Sequence, residues 1–281
     1  MDADAYFETC RARVEAALLA ALPPEGRRPA RLTEAIRYSV TTGGKRVRPM
    51  LCLAAAEAAG GIWSDAVPPA VAIELLHTYT LVHDDLPCMD NDLLRRGIPT
   101  VHAKFGEAMA VLCGDALQAC AFGALTCGSA VNPARVTRWV CELAHAAGPG
   151  GVVGGQVEDV ADAATPDPAT VAFVHQHKTA DLFRAALRMG AIGGNATEVQ
   201  IEQLGRFGNH LGLAFQIVDD LLDAGSPDAA DELSCLKIWS PAEARQEVEH
   251  HTAEAIKALT DLPGPTEPLR HMATRLATRV I

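Results

Sequence analysis

At 281 residues and 49 % hydrophobic, the chain can bury a sizeable core, with room for one large domain or two small ones. A net charge of −11 argues against general nucleic-acid binding, which wants a basic face, and suits a soluble protein. No apolar run reaches the roughly 18 residues of a membrane span, and the N-terminus lacks the basic start and apolar core of a signal peptide. The eight cysteines contain no CxxC pair, so zinc is poorly supported. Most of them lie in Ala/Leu-rich stretches where a free Cys behaves as a small hydrophobe, so they read as reduced thiols of a cytoplasmic protein.

In chain order, an amphipathic helix is predicted over 2–22 and is stopped by Pro23-Pro24. A basic loop and a helix near Thr33–Val40 follow. Gly43-Gly44-Lys45-Arg46-Val47-Arg48-Pro49 interrupts, and Pro49 then opens an Ala-rich helix that runs to Gly60-Gly61. Pro68-Pro69 opens the next helix, carrying His77, Tyr79 and Asp84, and Arg95-Arg96-Gly97 with Pro99 reads as a loop. Residues 104–127 read as one long apolar helix, and Asn132-Pro133 starts another. Gly154-Gly155-Gln156 opens or interrupts the following helix. Asp167-Pro168 starts one running past Lys178 to Gly193-Gly194. Thr197 with Gln200 fits a capping box opening the helix or helices that lead to Asp223, and Ser240, Pro241 and Glu243 form another start. The last helix is predicted near 266–279. No stretch alternates with period two, so strands are poorly supported and the reading is all-α, one domain over 1–281. Long helices facing a central acidic cavity make a bundle with its site in the core.

Two of these helices end in acid. Residues 211–223 are apolar nearly all round yet hold Asp219, Asp220 and Asp223. Asp219 and Asp223 are four apart and share a face, with Cβ atoms about 5–6 Å apart. Residues 81–92 hold Asp84, Asp85, Asp90 and Asp92. Asp84 and Asp90 are six apart and would diverge on a straight helix, but Pro87 breaks it and a bend there brings them together. Buried unpaired carboxylates are costly. A hard divalent cation answers them, because Mg²⁺ binds through one or two carboxylates plus phosphate oxygens.

Bases sit where such phosphates need them. Lys45, Arg46 and Arg48 follow two glycines, where backbone N–H groups can approach an anion and the side chains can clamp it. His77 lies two helical turns before Asp84 on the same face. Arg95 and Arg96 suit bidentate phosphate binding, and Lys178-Thr179 falls mid-helix in an apolar stretch. No P-loop, GxSxG or Ser/His/Asp constellation is present in the sequence.

Together Gly43–Pro49, His77–Asp85, Asp84–Gly97, Gly154–Gln156, His177–Thr179 and Phe215–Asp223 resemble the trans-prenyltransferase (polyprenyl diphosphate synthase) family, most of all the bacterial-type farnesyl diphosphate synthases. The resemblance implies an isoprenoid-synthase-like helical bundle and, in a homodimer, condensation of isopentenyl diphosphate with an allylic diphosphate. It implies three Mg²⁺ ions held between Asp84, Asp85 and Asp90 on one wall and Asp219 and Asp223 on the other. Asp84, Asp90, Asp219 and Lys178 would carry the catalysis. Arg95, Lys178, Thr179 and Gln216 would hold the allylic diphosphate, and Lys45, Arg48, His77 and Arg96 the isopentenyl diphosphate. Tyr79 and Thr80, about one turn below Asp84, would floor the chain pocket. The aromatic Tyr79 and the two extra residues between Asp85 and Asp90 fit a C15 product. A C20 synthase and a non-catalytic partner subunit are the alternatives, and a second diphosphate site argues against a terpene cyclase. After Asp223 the sequence departs from the family pattern: residues 224–236 are short and acidic (Asp228, Asp231, Glu232), leaving Lys237 to supply the cation of a closing loop.

Overall fold

The computed structural model describes residues 2–127, 132–162, 167–225 and 233–278. Asp228, Asp231 and Glu232 lie outside these residues. The architecture is all-α: α1 (Ala3–Ala21), α2 (Ala30–Thr41), α3 (Val47–Ala58), α4 (Val67–Asp84), α5 (Val101–Phe105), α6 (Glu107–Ala124), α7 (Pro133–Ala147), α8 (Val152–Asp162), α9 (Pro168–Val174), α10 (Asp181–Gly193), α11 (Glu198–Asp223), α12 (Pro241–Ala258) and α13 (Glu267–Ala277). Side chains cap the helix starts where the sequence places them. Asn132 accepts from Ala134 N–H, and Thr197/Gln200 and Ser240/Glu243 form complete capping boxes.

Three expectations are corrected. Residues 104–127 are not one helix: Gly106, at φ +92°, separates α5 from α6. α3 begins at Val47, two residues before Pro49, because Arg46 takes a left-handed conformation (φ 50°) and turns the chain in earlier. The loop at 94–99 is a minimal hairpin, β1 (Leu94–Arg95) on β2 (Ile98–Pro99), closed by Arg96 (φ 56°) and Gly97 (φ 78°). Positive φ at both central residues is the type I′ turn that matches strand twist, and two-residue strands are too short to show alternation in the sequence.

α10 is the central helix. Leu182, Phe183, Leu187, Met189 and Ile192 are all buried, and each such side chain contributes about 1.5–3 kcal/mol over leaving it exposed. It lies against α3, α4, α7 and α11. Glycines set the closest crossings: a Cβ at Gly190 would come within 2.1 Å of the Cys52 carbonyl on α3, and one at Gly212 within 2.6 Å of Ala180. Gly205 faces Arg188, Gly208 faces Arg184 and Gly212 faces Ala180, so α10 and α11 run antiparallel. The start of α10 therefore lies beside the middle of α11, and His175, just before it, reaches Asp220 near the end of α11.

Between α9 and α10, residues His175–Ala180 form a single π-helical turn. The predicted helix from Asp167 to Gly193 is continuous but takes in this extra residue where it passes Lys178. Such turns are frequent at functional sites.

Candidate active site

α4 and α11 both end in aspartates, Asp84 and Asp223. The C-terminal end of a helix is the wrong place for a carboxylate, since the helix dipole is negative there. Breaking a local rule at two helix ends marks a site whose gain lies elsewhere.

On the first wall the chain folds back through Leu86–Asn91. The Asp90 amide donates to the Asp84 carbonyl at 2.9 Å, so the bend at Pro87 brings the two residues together. Burial pushes the Asp84 pKa up to about 7; Lys178 pulls it down, and Asp90 and Asp159 push it up. Asp90 is raised too, again chiefly by burial. Asp85 turns away and is 3 % exposed, with Arg95 Nε at 2.6 Å from its carboxylate. Arg95 also reaches Asp92 at 3.3 Å.

Lys178 answers the acids. Its Nζ donates to Asp159 at 2.5 Å. Burial would lower its pKa, but Asp159, Asp84 and Asp90 outweigh that and hold it above the ordinary lysine value. Thr179 donates its hydroxyl to Gln216 at 2.6 Å, and Gln216 donates to Asp220 at 2.9 Å. Asp220 is buried and structural: it accepts the Cys235 N–H at 2.7 Å and lies 3.2 Å from His175. Burial pushes it up, yet His175, the Cys235 N–H and Gln216 prevail and keep its carboxyl below the usual range. With Asp220 turned inward, Asp219 is half-buried and Asp223 exposed at the open end of α11. Lys237 lies in the short turn Cys235–Lys237 that Asp220 anchors.

The second wall is basic. Arg48 Nη1 lies 3.2 Å from His77 Nε2, and its guanidinium stacks 4.5 Å over the Phe183 ring. Burial draws Arg48 down to about 10 against the pull of Glu74 and Asp219. His77 is held well below the ordinary histidine value by burial and by Arg48, Arg96, Arg95 and Arg46. Arg48 beside a neutral His77, with Arg96 on the neighbouring loop, makes a basic pocket suited to an anion. Arg96 donates to the Gly43 carbonyl, and a Cβ on Gly44 would fall 2.9 Å from Arg96, so glycine there admits the arginine. Lys45 is exposed on the same loop.

Arg46 corrects an expectation. It is no anion clamp but a buried strut, with Nε 2.8 Å from Glu15 and Nη1 2.7 Å from Glu74. Tyr79 is buried and meets His83 edge-on at 5.6 Å, and the Thr80 hydroxyl is spent on the His77 carbonyl at 2.8 Å.

The acidic walls suit a hard cation. All donors are carboxylate oxygens, and among the described residues no three His, Cys, Asp or Glu form a ligand set by themselves. Carboxylate oxygens are the donors that suit Mg²⁺, which fills the rest of its shell with water and phosphate oxygens.

A model of the polyprenyl synthetase family matches residues 29–232. The chain belongs to that family. Relatives of this polyprenyl synthetase include geranylgeranyl pyrophosphate synthase 7, chloroplastic, of Arabidopsis thaliana, 44 % identical over 90 % of this chain and 78 % of the relative. Another, also from Arabidopsis thaliana and 44 % identical, is the heterodimeric geranylgeranyl pyrophosphate synthase large subunit 1, over 98 % of this chain and 78 % of the relative. The crystal structure of a FPP/GFPP synthase from Zymomonas mobilis superposes with a TM-score of 0.90 at 36 % identity, over 98 % of this chain and 99 % of that one. The resemblance and the all-α fold are thus both borne out, and the chain is a trans-prenyltransferase that elongates prenyl diphosphates. Among the described residues of the synthetase, no helix is long and apolar enough to cross a membrane.

Sequence reasoning missed Asp159, which faces Lys178 from α8. A lone lysine in an apolar stretch demands a counter-charge, and Asp159 lies three residues after the Gly154–Gln156 motif. Gly155 explains that motif: a Cβ there would lie 2.4 Å from the Lys178 backbone nitrogen, so the glycine lets α8 dock on the π turn.

Proposed function

We propose that the chain condenses isopentenyl diphosphate with dimethylallyl and then geranyl diphosphate, in a Mg²⁺-dependent reaction, to give farnesyl diphosphate. The observation that carries this reading is the pairing of an acidic wall with a separate arginine pocket, one for each diphosphate. Asp84 and Asp90 after α4, together with Asp219 and Asp223 near the end of α11, would hold about three Mg²⁺ ions. Asp85 assists from below, as the anchor of Arg95. Bound there, the metal would supply charge to stabilise a departing diphosphate. Arg95, Lys178, Thr179 and Gln216 hold the allylic diphosphate, with Lys237 the further cation that the sequence offers after Asp223.

Lys178 and Arg95 stabilise negative charge on the leaving diphosphate as the allylic C–O bond ionises. Arg48, His77, Arg96 and Lys45 fix isopentenyl diphosphate so that its double bond attacks the allylic cation. Loss of a proton to the departed diphosphate completes the step, so no side-chain base is needed.

Tyr79, buried one turn below Asp84, supports a C15 product, with Thr80 beside it in the floor. C20 is the second reading, and the relatives' name, geranylgeranyl pyrophosphate synthase, favours it. The whole of 1–281 acts as one domain. The outward face of α6, where Val111 is 42 % and Leu112 53 % exposed, would pair with a second copy in a homodimer. All eight cysteines are free, in keeping with a reducing, cytoplasmic setting. The test is to incubate purified protein with dimethylallyl and isopentenyl diphosphates and Mg²⁺. A C15 product that vanishes with EDTA and in Asp84→Ala supports the proposal. A C20 product would shift it to the second reading, and no product from folded protein would favour a non-catalytic partner subunit.

A further inference from the structure

The π turn His175–Ala180 has two faces. Lys178 and Thr179 turn to the site, bonded to Asp159 and Gln216. Gln176 and His177 turn the other way, into a groove between α7, α10 and α11. There they share one carboxylate: Gln176 Nε2 donates to Asp181 Oδ1 at 3.0 Å, and His177 Nδ1 lies 2.8 Å from Asp181 Oδ2. Gln176 also reaches Asn209 on α11 at 2.7 Å. Asp181 is only 8 % exposed.

Gln176 and Asp181 are five residues apart, and in an α-helix such residues point roughly 140° away from each other. A π helix, whose own bonds span five residues, brings them onto one face. The Gln176–Asp181 bond therefore exists only while the turn keeps its extra residue. Were the turn to relax to α, Gln176 would leave Asp181 and the residues between them, Lys178 and Thr179 included, would rotate.

We propose that Asp181 is a positioning residue for the allylic diphosphate site, acting through Gln176 to hold the π register that aims Lys178. This rests on the reading of Lys178 as a substrate-binding group. Asp181 bonds Gln176 and His177 on the face of the turn opposite Lys178 and Thr179, so its effect passes through the turn. The contact to Arg184, at 3.8 Å, is too long to compete for it.

The test is steady-state kinetics on Asp181→Ala, Asp181→Asn and Gln176→Ala, with Asp181→Ala repeated on Lys178→Met. Asp181→Ala and Gln176→Ala should raise KM for the allylic substrate by about 10- to 100-fold and leave KM for isopentenyl diphosphate within about twofold. Asp181→Asn keeps an oxygen for Gln176 and should recover most of the loss; Gln176→Ala carries the test if Asp181→Ala fails to fold. On Lys178→Met the Asp181→Ala effect should disappear. Amide hydrogen exchange at 178–181 should quicken in Asp181→Ala. Equal rises in both KM values, or an effect that persists without Lys178, would overturn the positioning role. If Lys178→Met raises the allylic KM but Asp181→Ala does not, the positioning role alone falls. If Lys178→Met itself changes nothing, the assignment of Lys178 falls first and this role with it.

Discussion

Lys178 donates to Asp159 at 2.5 Å while the charges of Asp84 and Asp90 also bear on it, so one ammonium serves carboxylates from two sides of the cavity. Asp159 is the closest of the three and fixes where the ammonium sits. Asp159→Asn should therefore lower kcat/KM for the allylic substrate by about tenfold, because the lysine loses its aim but not its charge. Isopentenyl diphosphate binding should be unchanged. Kinetics with each substrate varied in turn would check this.

Asp84 makes a stability prediction. Burial raises its pKa to about 7 in the folded chain, whereas an unfolded Asp titrates near 3.9. The folded state thus holds the proton more tightly. The stability this contributes is fully present below the unfolded value and is lost as pH rises through about 7. Asp84→Asn, neutral throughout, should raise the metal-free Tm by roughly 2–4 °C at pH 8 and have almost no effect at pH 4. Mg²⁺ should in turn raise the wild-type Tm more at pH 8 than at pH 6, since the metal needs the ionised carboxylate. Thermal scans at the three pH values with and without Mg²⁺ would read both effects.

Tyr79 is buried against His83 one turn below Asp84. Replacing it with Ala opens space at that depth, and the product should lengthen from C15 to C20 or beyond. Chromatography of the dephosphorylated products would show it; an unchanged C15 product would remove Tyr79 as the floor.

Gly114 on α6 packs against the same histidine. A Cβ there would lie 2.1 Å from His83 Nε2, which itself sits 3.1 Å from the Val111 carbonyl. Gly114→Ala should push the imidazole off its seat and cost about 1–3 kcal/mol. Denaturant unfolding would measure the loss, and a wild-type midpoint would show that His83 moves freely.

Much of this site was legible because its residues break local rules. Asp84, Asp219 and Asp223 stand out as carboxylates closing apolar helices, and Pro87 announces the bend that returns Asp90 to Asp84. His77 falls two helical turns before Asp84 on the same face, and Arg48 follows a glycine pair. What stayed hidden depends on tertiary packing. Arg46 and Arg48 look alike in the sequence, and only the left-handed turn at Arg46 sends one to Glu15 and Glu74 and the other to His77. Asp85 and Asp220 look like their neighbours until burial turns them to Arg95 and to the Cys235 N–H. The π turn leaves no periodic trace, because a single extra residue within a buried helix changes no hydrophobic period.

The proposed reaction needs two diphosphate sites of different kinds, one metal-dependent and one built of Arg48, His77 and Arg96. Calorimetric titration of isopentenyl diphosphate and of a non-ionising allylic diphosphate analogue, each with Mg²⁺ and with EDTA, tests it directly. Isopentenyl diphosphate should bind under both conditions and lose affinity in Arg48→Gln, while the allylic analogue should bind only with Mg²⁺ and lose affinity in Asp84→Ala. Equal metal dependence for both ligands, or none for either, would contradict the division of the cavity into an acidic wall and a basic one.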